Sequence, residues 1–200
     1  MPTPISQSTH NEVALTRDIL ITVLDDLSTR LLKVFFRPIQ LVVHGGAVMI
    51  LHPTLASSTT RRETRDVDFI KRSFLVEMRK LGVFDAEARL QSCIDATAAQ
   101  FRLGTDWFNA HADVALPMAQ KCVYIYFFLC YSSDFLDAEF PPYATSAQGQ
   151  HYDPIYWDSL MPNNVALNTI YKSHGLTLIS VTMFWGVALK MVRYLKGVFA

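Results

Sequence analysis

The run Ile39-Gln40-Leu41-Val42-Val43-His44, stopped by Gly45-Gly46 and followed after 19 residues by Asp66-Val67-Asp68, constrains this chain more than any other segment. The first part is apolar and β-branched and follows Pro38, so it reads as a buried strand. The glycines turn the chain. Ala47 to Leu51 then reads as a short apolar helix that ends near Pro53, where proline lacks an N–H and its ring clashes with the preceding turn. With no side chains at the turn, an anion such as phosphate can approach the backbone, and the positive end of a helix favours it.

Asp66 and Asp68 flank Val67 and lead into Phe69-Ile70, which predicts a second strand. Residues two apart on a strand point to one face, about 6 to 7 Å apart, so both carboxylates can share a hard cation. Mg²⁺ takes oxygen ligands, commonly one or two carboxylates with water and substrate phosphates. The spacing therefore places both aspartates in the same cleft as the Gly45-Gly46 turn. The alternative for the pair is a solvent-facing strand edge.

These elements resemble the signature of the DNA polymerase beta-like nucleotidyltransferase superfamily: hydrophobic strand, Gly-Gly or Gly-Ser, helix, then Asp-hydrophobic-Asp on the next strand. The chain is most similar to the minimal branch that includes the nucleotidyltransferases of bacterial abortive-infection systems. There the aspartates commonly follow Arg-x-Thr-x, matched by Arg62-Glu63-Thr64-Arg65. Asp106-Trp107-Phe108-Asn109 resembles an Asp-Trp-Leu-Asn stretch of some members, and Leu189-Lys190-Met191-Val192-Arg193 resembles their final helix. The likeness touches residues 39 to 195.

The resemblance implies an α/β fold with a small mixed sheet flanked by helices. It implies that Gly45, Gly46 and Lys190 hold a nucleoside triphosphate and that Asp66 and Asp68 bind Mg²⁺. A third carboxylate would help activate an acceptor hydroxyl; Asp113 is the position assigned to it, with Asp106 next. The reaction would transfer a nucleoside monophosphate, with the acceptor open between protein and RNA. The rival reading is a catalytically inactive relative that senses nucleotide or docks a partner. The polar run Ser57 to Arg62 is expected to be an inserted surface loop.

Composition agrees with one globular domain: 50% of the residues are hydrophobic and 18% charged. Basic and acidic residues number 18 each, which excludes a global basic field for nucleic acid. The most basic stretch is 61 to 80, containing Arg61, Arg62, Arg65, Lys71, Arg72, Arg79 and Lys80. It reads either as a solvated loop and helix face or as contacts to a triphosphate or polyanionic acceptor.

Residues 1 to 11 read as a flexible tail without signal-peptide order, and 12 to 200 as a single domain. Periodicity predicts helices over 12 to 35, with Asn11 as N-cap, and over 71 to 81 and 85 to 101. A late strand over 175 to 181 leads into a helix over 183 to 196. There Phe184, Val187, Ala188, Met191 and Val192 are expected inward, with Lys190 and Arg193 toward cleft or solvent. Val123 to Leu129 reads as a buried strand within an insertion at about 120 to 150 and is too short for a membrane span of about 20 residues. Cys93, Cys122 and Cys130 form no metal spacing, and an odd count suggests reduced thiols in the cytoplasm, or alternatively the nucleus. The six histidines lack paired metal spacing, and only His44, beside the glycines, is placed to touch a phosphate.

Overall fold

A computed structural model describes residues 9–111 and 154–198. Asp113, the 120–150 insertion and Cys122 and Cys130 lie outside the described residues. Within them the fold is α/β, built on a five-stranded mixed sheet of order β5-β4-β2-β7-β6. The strands are β2 (Ile39–His44), β4 (Val67–Phe69), β5 (Phe108–Asn109), β6 (Thr169–Lys172) and β7 (Leu176–Ser180). Two short strands, β1 (Leu15–Thr16) and β3 (Glu63–Thr64), pair separately.

The central strand β2 pairs parallel with β7 and antiparallel with β4, which in turn pairs parallel with β5. Burial on both faces explains why β2 is apolar almost throughout rather than alternating. Leu41 and Val43 join the main core with α1 (Arg17–Phe35), α4 (Lys71–Lys80) and α5 (Ala86–Phe101). Val42 faces the other way, into a smaller cluster with Ile70, Ile155, Val181, Trp185 and Leu189. That second layer comes from α6 (Pro154–Leu160) and α8 (Met183–Val198).

The inward stripe of α5 is as its periodicity requires: Ala86, Leu90, Cys93, Ile94 and Ala98 are all buried. Burial pushes the Cys93 thiol above its ordinary pKa, which leaves it a packing residue. At Asp26 on α1, partial burial pushes the carboxyl up. Hydrogen bonds from Arg30 at 2.6 Å and from the buried Thr97 hydroxyl at 2.7 Å outweigh that, helped by the charges of Arg30 and Lys33, and hold its pKa below the usual value. A carboxylate whose folded pKa is depressed stabilises the fold above its unfolded pKa, and that contribution fades as pH falls through the folded value. Asp26→Asn is therefore expected to cost about 1 to 2 kcal/mol at neutral pH. Urea unfolding repeated below pH 3 should find the parent and the variant closer in stability.

Three expectations are corrected. The first helix starts at Arg17, not at residue 12, because the chain bends at Val13 and residues 15 to 16 form β1, which pairs with β3 in the register Leu15↔Thr64 and Thr16↔Glu63. Asn11 is accordingly no N-cap. It is 1% exposed, and its amide donates to Arg65 O at 2.6 Å and Val13 O at 3.0 Å while its Oδ1 accepts from Gly104 N at 3.2 Å. The expected loop over 57 to 62 is partly helical: α2 (Gly46–Leu51) is followed at once by α3 (Pro53–Ser58), with Pro53 opening the second helix as well as ending the first.

The third correction concerns α8. Its buried side is Trp185 and Leu189, in line with Val181, whereas Phe184, Val187 and Met191 are exposed and Ala188 is half-buried. Trp185 Nε1 donates to Asp158 Oδ2 at 2.8 Å, fixing the helix rotation against α6. A helix apolar on most sides offers several stripes at the same spacing, and the strand feeding it selects one. The Val192 and Arg193 side chains lie outside what is described. Among the described residues, no helix is long and apolar enough to cross a membrane.

Candidate functional site

The end of β2, the start of α2 and the edge of β4 meet at Gly45-Gly46. Gly45 has φ +78°, a conformation that L side chains rarely adopt. A Cβ built there would lie 2.6 Å from Asp68 Oδ2, so the carboxylate packs directly on the glycine. Asp68 is buried in β4, with His44 as its antiparallel partner and Asn109 as its parallel partner. Val67 and Phe69 enter the main core, so strand alternation turns Asp68 to the opposite face with Ile70.

Asp66 stands one residue before β4 rather than within it and is half-buried. Its Oδ2 accepts from the Asn109 amide at 3.5 Å, and the same amide donates to Asp106 O at 2.8 Å. The neighbouring strand thus presents an amide beside the two carboxylates. Asp106, the second choice for a third carboxylate, is bound elsewhere: it accepts from Asn11 N at 2.6 Å and pairs with His10 Nδ1 at 2.8 Å. Asp113 lies outside the described residues.

On the other side of the turn, a Cβ at Gly46 would meet Thr64 Oγ1 and would lie 2.6 Å from Arg61 Nη2. Arg61 donates to Thr64 Oγ1 at 3.3 Å and to Glu63 O at 2.9 Å, and Thr64 donates on to Asp66 O at 3.2 Å. A chain of hydrogen bonds therefore ties the guanidinium over Gly46 to the backbone of Asp66. Arg62, which the motif resemblance singles out, turns away and donates to Ala56 O at 3.2 Å and Thr59 O at 3.1 Å. Nothing in the basic run distinguishes Arg61 from Arg62 or Arg65; the choice comes from β3 pairing with β1.

Lys190, 144 residues after Gly46, reaches the same place from α8. It lines a cavity of about 540 Å³ together with His44, Gly45, Gly46, Ser180 and Thr182. The carboxylates are not part of that lining.

Helix α2 has only six residues, too few for a strong macrodipole. Attraction for an anion at this turn therefore comes from the Arg61 and Lys190 cations. Among the described residues no group of three His, Cys, Asp or Glu side chains is arranged to hold a metal ion. Two carboxylates suffice for Mg²⁺ when waters and substrate phosphates complete the octahedron, and the hard oxygen donors of Asp66 and Asp68 fit that minimum. Comparison of the chain with protein-family models, with curated proteins and with solved structures finds no match to any of them.

Proposed function

We propose that the chain is a nucleotidyltransferase-like protein that binds a Mg²⁺-nucleoside triphosphate at the Gly45-Gly46 turn. The observation that carries this reading is the convergence on one side-chain-free turn of a carboxylate, Asp68 against Gly45, and two cations, Arg61 over Gly46 and Lys190 in the adjoining cavity. Carboxylates that can hold a metal on one side and cations on the other suit a metal polyphosphate. A simple anion would gain nothing from the aspartates.

In this reading Asp66 and Asp68 hold Mg²⁺, which supplies charge stabilisation to the phosphoryl oxygens. Gly45 and Gly46 let the phosphates reach the backbone, and Arg61 and Lys190 neutralise them. In transfer, an acceptor hydroxyl oxygen would form a bond to the α-phosphorus as the bond to the bridging oxygen breaks, releasing pyrophosphate, while the acceptor proton passes to a base. Asp113 keeps the assignment as that base. A second reading, nucleotide binding without transfer, is favoured by Asn109, since an amide beside Asp66 cannot take up a proton.

Calorimetric titration of ATP with Mg²⁺ tests the binding. Arg61→Ala and Lys190→Ala, both at exposed positions, are each expected to weaken binding by about 1.5 to 3 kcal/mol, the scale of a hydrogen bond to a charged group. Thermal unfolding should change little. Parent-like affinity in both variants would remove the turn as the phosphate site. Pyrophosphate release with an RNA or protein acceptor then separates transfer from binding alone.

A further inference from the structure

We propose that Asn109 limits the carboxylate site to a single divalent cation, because it sets a hydrogen-bond donor beside Asp68 where a further carboxylate would be needed to hold a second ion. This rests on the reading that Asp66 and Asp68 bind Mg²⁺. Asn109 pairs in register with Asp68 across the parallel β4–β5 ladder, as Phe108 does with Val67. Phe108 enters the main core with Val67, so the strand's period of two turns Asn109 to the same face as Asp68. Neighbouring strands run about 4.8 Å apart, which brings the amide alongside the carboxylate pair. Asn109 is 9% exposed, and its Nδ2 lies 3.5 Å from Asp66 Oδ2.

The two ends of this amide are not interchangeable. His111 N donates to its Oδ1 at 2.9 Å, and its Nδ2 donates to Asp106 O at 2.8 Å. Reversing the amide would set the NH₂ group against the His111 N–H and the oxygen against the Asp106 carbonyl, two mismatches at once. The backbone on either side therefore fixes the nitrogen toward Asp66. An amide N–H offers a cation no lone pair.

Two carboxylates can hold one Mg²⁺ when water and phosphate oxygens complete its shell. A second ion about 3.5 to 4 Å from the first needs oxygen ligands of its own. Among the described residues no third His, Cys, Asp or Glu joins the pair in a metal-holding group, and the Asp106 carboxylate is engaged with Asn11 N and His10. The cavity on the Lys190 side, lined from α3, α7 (Pro162–Asn168) and α8, carries no carboxylate. Asn109 is thus the position, already facing Asp66 and in register with Asp68, at which one isosteric change would convert a donor into a ligand.

The test counts Mn²⁺, a spectroscopic substitute for Mg²⁺, bound to the full chain with a non-hydrolysable ATP analogue, by calorimetry and electron paramagnetic resonance. The parent is expected to bind one Mn²⁺ per chain, with the resolved hyperfine spectrum of an isolated ion. Asn109→Ala, which removes the amide without supplying a ligand, should also bind one. Asn109→Asp should bind two, with the broadened spectrum of ions a few ångströms apart. Two Mn²⁺ in the parent or in Asn109→Ala, or one in an Asn109→Asp chain of parent-like circular dichroism, would overturn the proposal and leave the metal-triphosphate reading standing. If Asn109→Asp does not fold, the counts in the parent and in Asn109→Ala decide by themselves. No Mn²⁺ bound by the parent, with or without the analogue, would remove the metal reading, and the proposal with it.

Discussion

Gly45→Ala is expected to lower the unfolding free energy by about 2 to 5 kcal/mol, combining backbone strain with overpacking. The strain arises because φ at this position is +78°, and the overpacking because the new methyl would lie 2.6 Å from Asp68 Oδ2. Asp68 sits in the sheet between β2 and β5 and cannot retreat without disturbing a ladder, so the clash is not relieved by rotating a surface side chain. The two contributions can be separated by a double-mutant cycle with Asp68→Ala. Removing the carboxylate should recover the overpacking part and leave the strain, making the double variant less destabilised than the sum of the singles. Strict additivity would mean that the glycine and the aspartate do not touch.

Asn11→Ala is expected to cost about 2 to 4 kcal/mol, since it leaves buried backbone groups without partners on two loops at once. The side chain joins Arg65, immediately before Asp66, to Gly104, at the entry to the 3₁₀ turn Thr105–Trp107 that leads to Asn109. Close packing reinforces the link, because a Cβ at Gly104 would meet Asn11 N and lie 2.5 Å from His10 O. Asn11→Asp keeps the acceptor for Gly104 but loses the two donated bonds and sets a second carboxylate near Asp106. It should therefore be no more stable than the alanine variant in urea unfolding. An alanine variant within about 0.5 kcal/mol of the parent would show that the strap is ornamental.

What was legible in the sequence followed from strong local patterns. The apolar run before Gly45 had to be a doubly buried strand, and the stripe of α5 had one periodic solution. Asp68 landed against the glycine turn because a strand's period of two leaves it no other face once Val67 and Phe69 enter the core. The rest depended on contacts distant in sequence. Asn11 has the chemistry of a helix cap, but hydrogen bonds to residues 54 and 93 positions away compete for it and prevail. Arg61 and Arg62 are equivalent as letters, and only the β1–β3 pairing decides which one lies over Gly46. In α8, Phe184, Val187 and Met191 fit an inward stripe as well as Trp185 and Leu189 do; the strand feeding the helix selects the latter, and the tryptophan's hydrogen bond to Asp158 holds that rotation. Asn109 entered only as the end of the Asp-Trp-Phe-Asn resemblance, and its place beside Asp66 needed its strand to pair with β4.

On the proposed reading, Asp66 and Asp68 make nucleotide binding at the glycine turn depend on a divalent cation. Titrating ATP into the parent and into Asp68→Asn, each with Mg²⁺ and again with EDTA, tests it most directly, because asparagine keeps the shape against Gly45 and removes the charge. The expected result is a parent affinity at least about tenfold higher with Mg²⁺, and an Asp68→Asn variant of parent-like stability in which that difference has largely vanished. Equal affinity of the parent with and without Mg²⁺, or an undiminished metal effect in Asp68→Asn, would contradict it.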